Sequence, residues 1–528
     1  MGFITADRNQ TILLGHCLDD FVEKDAKIRY ITAVIDKLDL SKIYARYSAQ
    51  GADSYEPKIM LAIIFLAFTE SIYSTRKIEQ YCKKHMDFIY ASCNLKPDHT
   101  TIARFIQHNL DQMKDLFTQI ILRAKQKGYA NFKEVAIDGS KIRSASSKKK
   151  SYQESKIERY MAAIQKEIDS YLEELEKEQT LERKEELDIR VKQLKDKKDL
   201  LEVRRKEVKE RKEKITKSYR ESHQINIVEP DAYMMDLGYG KGYSPAYNAQ
   251  ISVDMGSQLI TSPDVIQDRN DRQTFSKQHQ NIEQTIGKPE EERKYITDNG
   301  YGSYEQLEYI KENKIDAYIS YELPSEEEGT IKDKIEKIKV TGRKIKKEDF
   351  IYNKDNDTYK CPMGKSLNFY RRENNKSFKG RKYRTEGCSG CEIKSQCLAS
   401  NNKKDKREIS LDEKEYLIDD MKTKIRQEEQ AKELFQKRKT SVEPVFGNIK
   451  QNMRYDRFKR RGLAKVNGEF ALVCMAHNLN KLFRIITAKF SKTLFYFGSK
   501  GNNIGRLNLI FTVYGNRRHH EPNNYLYA

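Results

Sequence analysis

The sequence predicts a mixed α/β protein whose sheet-containing core follows an all-helical N-terminal segment. Three observations favour this class. Apolar residues recur at helical spacing in residues 1–130. Residues 151–217 contain no glycine or proline, and their apolar residues recur at intervals of three, four and seven. From 223 to 322, strand-like runs alternate with helical patterns bounded by turn residues.

Composition narrows the class of partner. The 528 residues include 99 Lys and Arg against 79 Asp and Glu, a formal charge of +20, which favours nucleic acid over the weaker alternative of an acidic membrane surface. The longest apolar run, 59–68, is much shorter than the ~20 residues of a membrane span, and no signal-peptide pattern begins the chain. Eight scattered cysteines argue against a secreted disulfide framework. We therefore expect a cytoplasmic protein that does not enter membranes.

The helical segment 1–130 contains the motif "KPDHTTIARF". Asp98 is predicted to cap a helix whose first turn presents Thr100, Thr101 and Arg104, where phosphate contacts are plausible. A helical bundle without DNA contacts is the alternative.

Residues 131–150 hold the first core strand. The run "EVAID" has strand composition and ends in Asp138, and Gly139 and Ser140 predict a turn directly after it.

An inserted helical hairpin is predicted for 151–222. The seven-residue series from Leu187 to Ile215 is typical of a coiled coil, and the break in phase between 175 and 187 predicts two antiparallel helices that turn near 178–184. Its charged faces are either solvated or in contact with DNA.

Residues 223–322 continue the core. A β-hairpin is followed by a helix that Asp271 could cap and Gly287 ends. A strand ending in Asp298 comes next, then a helix at which Ser303 and Gln306 have capping-box spacing, and a final strand "DAYIS". With the hairpin set aside, the order strand, strand, strand, helix, strand, helix, strand is that of a ribonuclease-H-like sheet, with Asp138 and Asp298 at the C-terminal ends of two strands.

A cysteine-containing subdomain is predicted for 323–410, because 144 residues between Asp298 and Glu443 are too many for a simple connection. Two cysteines at CxxC spacing and two others can complete a tetrahedral zinc site. These residues are Cys361, Cys388, Cys391 and Cys397. Reduced thiols without metal are the alternative.

Residues 411–487 are predicted to supply helices and the third carboxylate. Glu443 directly precedes Pro444, which suits the first position of a helix, and Lys450 lies two turns further on. His477 and Asn478 are expected to be packing residues on a later helix. The tail 488–528 has some strand-like alternation and no predicted role.

The three acids point to one kind of chemistry. In-line displacement at phosphodiesters uses two divalent ions about 3.5–4 Å apart, and Mg²⁺ or Mn²⁺ prefers carboxylate oxygens. Asp138, Asp298 and Glu443 have the required side chains. Each could instead be an ordinary turn residue, cap or surface charge.

Together, "AIDGSKIRS", "ITDNGYGS", "VEPVFGNIK" and "DHTTIARF" resemble the DDE transposases of bacterial insertion sequences, from about residue 20 to 485. The resemblance implies a ribonuclease-H-like core and makes Asp138, Asp298 and Glu443 the metal-binding triad. It further implies Mg²⁺-dependent cleavage of double-stranded DNA at terminal inverted repeats, strand transfer into a target, and a homo-oligomer that works on the bacterial nucleoid.

One part of the family pattern is altered. Related transposases often carry Tyr, Arg, Glu and Lys around the third acid. Glu443 and Lys450 match, but Gln436 and Lys439 occupy the tyrosine and arginine positions, and the adjacent Arg438 could replace the arginine. We expect Lys450, Arg438, Lys439 and Arg104 to contact DNA. There are two alternatives to an active transposase. One is a catalytically inactive DNA-binding derivative, and the other is a ribonuclease-H-like nuclease that does not join strands.

Overall fold

A computed structural model describes residues 17–47, 54–213, 223–238, 240–289, 292–321, 335–336, 339–353, 355–375, 378–398 and 405–498. The chain divides into two compact units. The first contains residues 1–271, 277–293 and 437–528, and the second contains 272–276 and 294–436. Among the helices in the described ranges, none is long and apolar enough to cross a membrane.

The first unit begins with helices, as the periodicity predicts. Within the described residues they are α1 (Lys27–Ile35), α2 (Ser41–Tyr44), α3 (Pro57–Thr69), α4 (Thr75–Lys84), α5 (Met86–Ala91), α6 (His99–Asn109) and α7 (Met113–Gln126), with 3₁₀ turns at Leu18–Phe21 and Leu110–Gln112. Pro57 opens α3, which is buried along most of its length. Asp98 caps α6 by accepting the Thr101 N–H at 2.7 Å, and this bond lowers the pKa of Asp98.

Two long helices follow, α8 (Glu154–Lys177) and α9 (Leu181–Glu213), so the chain reverses at 178–180. They pack through buried aliphatic residues that include Ile157, Ile164, Leu194 and Leu201. Coiled-coil geometry in this hairpin stays a prediction. The 3₁₀ turn Lys148–Lys150 and the short paired strands β2 (Ser151–Tyr152) and β3 (Ile225–Asn226) close its base.

The sheet of the first unit consists of β1 (Glu134–Arg143), β4 (Tyr233–Asp236), β5 (Tyr243–Asp254) and β6 (Ile260–Ile266). Strand β5 pairs antiparallel with the other three. The predicted turn at Gly139 and Ser140 is wrong. β1 runs on to Arg143 because β5 supplies a partner for every residue from Val135 onwards, so Asp138 lies inside the strand.

The remaining helices of the first unit include α10 (Phe275–Ile286), α14 (Gln430–Ser441), α15 (Glu443–Gly447), the π turn Asn448–Asn452 and α16 (Leu463–Gly498); α10 and α14 extend across the unit boundary. α16 packs against α3, α7 and β6. Asn478 on α16 is buried and bonds both the N–H and the carbonyl of Ile260, and His477 contacts Asn448 and the Gln258 carbonyl. Both are packing residues, as predicted. The strand-like alternation predicted for the tail is wrong for residues 488–498, which continue α16, and residues 499–528 lie outside the described residues.

The second unit contains the parallel strands β7 (Lys294–Asp298) and β8 (Ala317–Ser320), the helices α11 (Tyr304–Glu312), α12 (Lys394–Cys397) and α13 (Glu415–Gln427), and 3₁₀ turns at Asn299–Tyr301 and Lys347–Asp349. A separate antiparallel sheet has the order β13-β12-β11-β10-β9, with β9 (Ile351–Asn353), β10 (Thr358–Lys360), β11 (Ser366–Asn375), β12 (Phe378–Thr385) and β13 (Glu408–Asp412).

Two predicted capping interactions do not form, although Ser303 does occupy the position directly before α11. The Ser303 side chain makes no cap hydrogen bond, and Gln306 instead accepts the Ser276 N–H at 2.7 Å. Asp271 lies four residues before α10 and accepts hydrogen bonds from β5. The side chains of Gln306 and Asp271 instead form hydrogen bonds with residues that are distant in the sequence. The fold is mixed α/β with N-terminal helices, and its ribonuclease-H-like character stays a prediction.

Candidate active site

Asp138 stands on the inner stretch of β1 in the first unit. Its side chain is 18% exposed, and its Oδ1 lies 3.2 Å from Nη2 of Arg438, whose side chain is 8% exposed. The Gly139 N–H donates to the same carboxylate at 2.9 Å. A partly buried carboxylate is stabilised by a cation at this distance, so Arg438 compensates the charge of Asp138.

The segment that carries Glu443 is tied to β1 at both ends. Arg438 on α14 reaches Asp138, and Lys450 on the π turn donates from Nζ to Ser140 Oγ at 2.5 Å and to the Lys141 carbonyl at 2.9 Å. Asp138 and Ser140 lie two residues apart on one strand, so their side chains share a face. The exposed Glu443 begins α15 between these two attachments.

The surroundings of Lys450 disfavour the protonated form of its side chain. Burial lowers the pKa of its ammonium to about 8, and the nearby Lys241 and Lys141 act in the same direction, partly opposed by Asp138 and Asp456. Lys450 was predicted to reach a DNA phosphate. In the structure it holds β1 two residues beyond Asp138, a positioning contact that sequence spacing alone does not reveal.

A further acid lies on the other face of β1. Asp271 Oδ1 accepts hydrogen bonds from Asn248 at 2.7 Å and from Gln250 at 2.6 Å, and Lys141 Nζ is 4.0 Å from its Oδ2. A Cβ at Gly139 would come within 2.1 Å of Gln250 Nε2, so only glycine fits there. No local sequence signal identifies this cluster, because it depends on the register of β5 against β1.

Asp298 lies in the second unit, at the end of β7 as predicted. Its side chain accepts the Gly300 N–H at 2.8 Å and caps the following 3₁₀ turn. Its position relative to Asp138 and Glu443 stays a prediction. The expected DNA contacts Arg104, on α6, and Lys439, on α14, are both exposed.

The four cysteines of the second unit line one small cavity, together with Phe350, Thr385 and Arg407. Cys361 Sγ accepts the Lys365 N–H at 3.2 Å, and Cys388 Sγ lies 3.4 Å from Thr385 Oγ1. Burial raises the pKa of the Cys397 thiol to about 11, and the other three cysteines add to this effect.

The described residues contain no group of three or more His, Cys, Asp or Glu side chains in a ready metal-holding arrangement. The donor types nevertheless fit two different metals. Asp138 and Glu443 offer hard oxygens within one unit, which suits Mg²⁺ or Mn²⁺. Four thiols around one cavity suit zinc, provided that they deprotonate and turn towards a common point.

Comparison with family models gives two matches. Residues 360–483 match the transposase DDE domain, and residues 16–108 match a transposase domain known as DUF772. The first match includes Glu443 and Lys450, whereas Asp138 and Asp298 lie outside both. Comparison with the curated proteins finds no match. The two matched domains, in the order that the motifs predict, are consistent with a DDE transposase of an insertion sequence.

Proposed function

We propose that the protein cleaves double-stranded DNA at the terminal inverted repeats of its element and joins the freed 3′ ends to target DNA. One observation carries this proposal. The segment with Glu443 is attached at both ends to the face of β1 that bears Asp138. Such an arrangement keeps two carboxylates on rigid elements of one unit, as a metal-dependent phosphodiester reaction requires.

Asp138, Asp298 and Glu443 would hold the metal. Two divalent ions, Mg²⁺ or Mn²⁺, when bound, supply activation of the attacking oxygen and stabilisation of the leaving oxygen. In cleavage, water attacks the scissile phosphorus and its oxygen becomes part of a new 5′ phosphate, while the displaced oxygen leaves as a 3′ hydroxyl. In joining, that 3′ hydroxyl attacks a target phosphodiester and displaces the target's own 3′ oxygen, which leaves as a hydroxyl. Arg438 orients the Asp138 carboxylate, and Lys450 fixes the strand beside it.

DNA contacts and self-association complete the proposal. The exposed Arg104 and Lys439 would bind backbone phosphates, which supply much of the affinity of proteins for DNA. Because two element ends must be held together, we propose a homo-oligomer on DNA at the bacterial nucleoid, with the α8–α9 hairpin as a contact between copies.

We also propose one structural zinc ion in the cysteine-lined cavity. Zinc would replace thiol protons and link the turn after β10, the loop after β12 and α12, which carry the four cysteines. Protein purified without chelator should contain one zinc per chain. Cys391→Ser should lose it and melt at a lower temperature, whereas Cys17→Ser, at an exposed cysteine outside the cavity, should retain it. Equal zinc content in both variants would contradict the proposal.

The catalytic proposal is tested with DNA that flanks the gene. Wild type should give cleaved and joined products that require Mg²⁺ or Mn²⁺. Glu443→Gln and Asp298→Asn should abolish both products while DNA binding persists. The matched control is Glu433→Gln, at an exposed acid on α14. Cleavage without joining would indicate a nuclease, and binding without cleavage under all metal conditions would indicate an inactive derivative.

A further inference from the structure

A cleft in the first unit is surrounded by positive charge. It has a volume of about 450 Å³ and lies between α6 and the loop that precedes α16. Gln107 forms the α6 side. Five cations line the opposite side, four in the loop and the last in the first turn of α16: Arg457, Lys459, Arg460, Arg461 and Lys465. Among the described residues that line the cleft, none is acidic.

None of these five cations forms an ion pair within 4 Å with another described residue. Two acids of the same chain segment have other partners. Asp456 pairs with Arg143, and the Glu469 carboxylate accepts backbone N–H groups. Clustered cations that lack a directly paired carboxylate produce a positive potential, which attracts a polyanion.

Buried groups hold the backbone of this loop in place. Glu469 is 3% exposed, and its two carboxylate oxygens accept the Lys459 N–H at 2.9 and 3.1 Å and the Arg460 N–H at 2.9 Å. Phe458 is fully buried, and its N–H donates to the Arg143 carbonyl at 2.9 Å. The backbone is therefore fixed by buried contacts, while Lys459 and Arg461 project into solvent.

We propose that this cleft binds the phosphate backbone of duplex DNA, and that Glu469 is a positioning residue for the loop. The inference rests on the proposed function for the choice of polyanion. Duplex DNA carries a charge about every 1.7 Å along its axis, so it can engage several of the cations at once. The α6 wall extends the surface, because Arg104 lies about one turn before Gln107 on that helix.

The test measures binding of the full-length protein to a duplex that contains the element end, over a range of salt concentrations. Lys459→Gln combined with Arg461→Gln should reduce the slope of log K against log salt by about 1.8 units, at about 0.9 per lost phosphate contact. Between 50 and 200 mM salt, the variant should lose about tenfold less affinity than wild type.

The matched control is Lys314→Gln combined with Lys432→Gln, at two exposed lysines of the second unit. It removes the same charge and should leave the slope unchanged. If the cleft variant has the slope of wild type, or if the control falls equally, the cleft is not a DNA site.

Glu469 is tested separately. Glu469→Ala removes the oxygens that accept the N–H groups of Lys459 and Arg460. It should reduce both the salt-dependence slope and the affinity for DNA, although no cation is lost. Glu469→Gln keeps an acceptor and should restore most of the slope. If Glu469→Ala does not fold, the Lys459 and Arg461 variant decides. A protein that never cleaves DNA but shows the predicted slope change would refute the catalytic proposal and leave the cleft as a DNA site.

Discussion

The pair of Arg438 and Asp138 gives a quantitative prediction. At 3.2 Å, Coulomb's law with an effective dielectric constant of 20 gives an attraction of about 5 kcal/mol. Desolvation of both charges offsets part of it, so the net coupling should be about 1.5–3 kcal/mol. Arg438→Met alone should cost about 3 kcal/mol of unfolding free energy, since it leaves a partly buried carboxylate without this cation.

A double-mutant cycle measures this coupling. Urea unfolding in EDTA is followed for wild type, Arg438→Met, Asp138→Asn and the double variant. The double variant should be more stable than the sum of the two single losses predicts. Lys439→Met, at the exposed neighbour of Arg438, should change the unfolding free energy by less than about 0.5 kcal/mol.

The same cycle with added Mg²⁺ tests the metal proposal. A cation that binds at Asp138 should raise the unfolding free energy of Arg438→Met more than that of wild type, and should not stabilise Asp138→Asn. If the losses add within about 0.5 kcal/mol, Arg438 does not act through Asp138. If Mg²⁺ stabilises all four proteins equally, Asp138 is not a metal ligand.

Two other predictions concern stability. Gly468→Ala places a Cβ 2.2 Å from the Leu110 carbonyl oxygen and should lower the free energy of unfolding in urea by about 1–3 kcal/mol. Gly447→Ala meets nothing within 4 Å and should raise the free energy of unfolding by up to about 1 kcal/mol. Equal unfolding free energies for the two variants would refute the packing of α16. Because the pKa of Lys450 falls to about 8 on folding, the unfolded chain binds more protons between pH 8 and 10.5, and this group adds stability as the pH rises through that window. The stability of Lys450→Met relative to wild type should therefore fall by up to about 3 kcal/mol between pH 7.5 and 10.5, and a constant difference in urea unfolding would contradict the burial of its ammonium.

Local sequence patterns gave correct predictions where the residues of one short segment determine the backbone conformation. Asp98 caps α6 and Gly287 follows the end of α10 with a positive φ, because both positions depend on nearby backbone groups. Glu443 begins its helix because the conformational limits of the following proline act on adjacent residues.

Local sequence patterns gave wrong predictions where contacts with a distant strand determine the structure. Gly139 does not end β1, because β5 continues to pair with it. Asp271 is not a cap, because Asn248 and Gln250 bind it from β5. The contacts of Arg438 and Lys450 with β1 join residues about 300 positions apart, so no local pattern could specify them.

The packing of α16 limits what incomplete chains can do. The helices at the start of the protein rest on an element that the ribosome makes after residue 463, and Asn480 Nδ2 donates to the Thr69 carbonyl across this join. A chain that stops early, by frameshift or degradation, lacks the surface on which α3 and α7 pack. Such fragments should therefore not accumulate as folded helical domains, and the N-terminal helices should become resistant to proteases only after α16 has been translated.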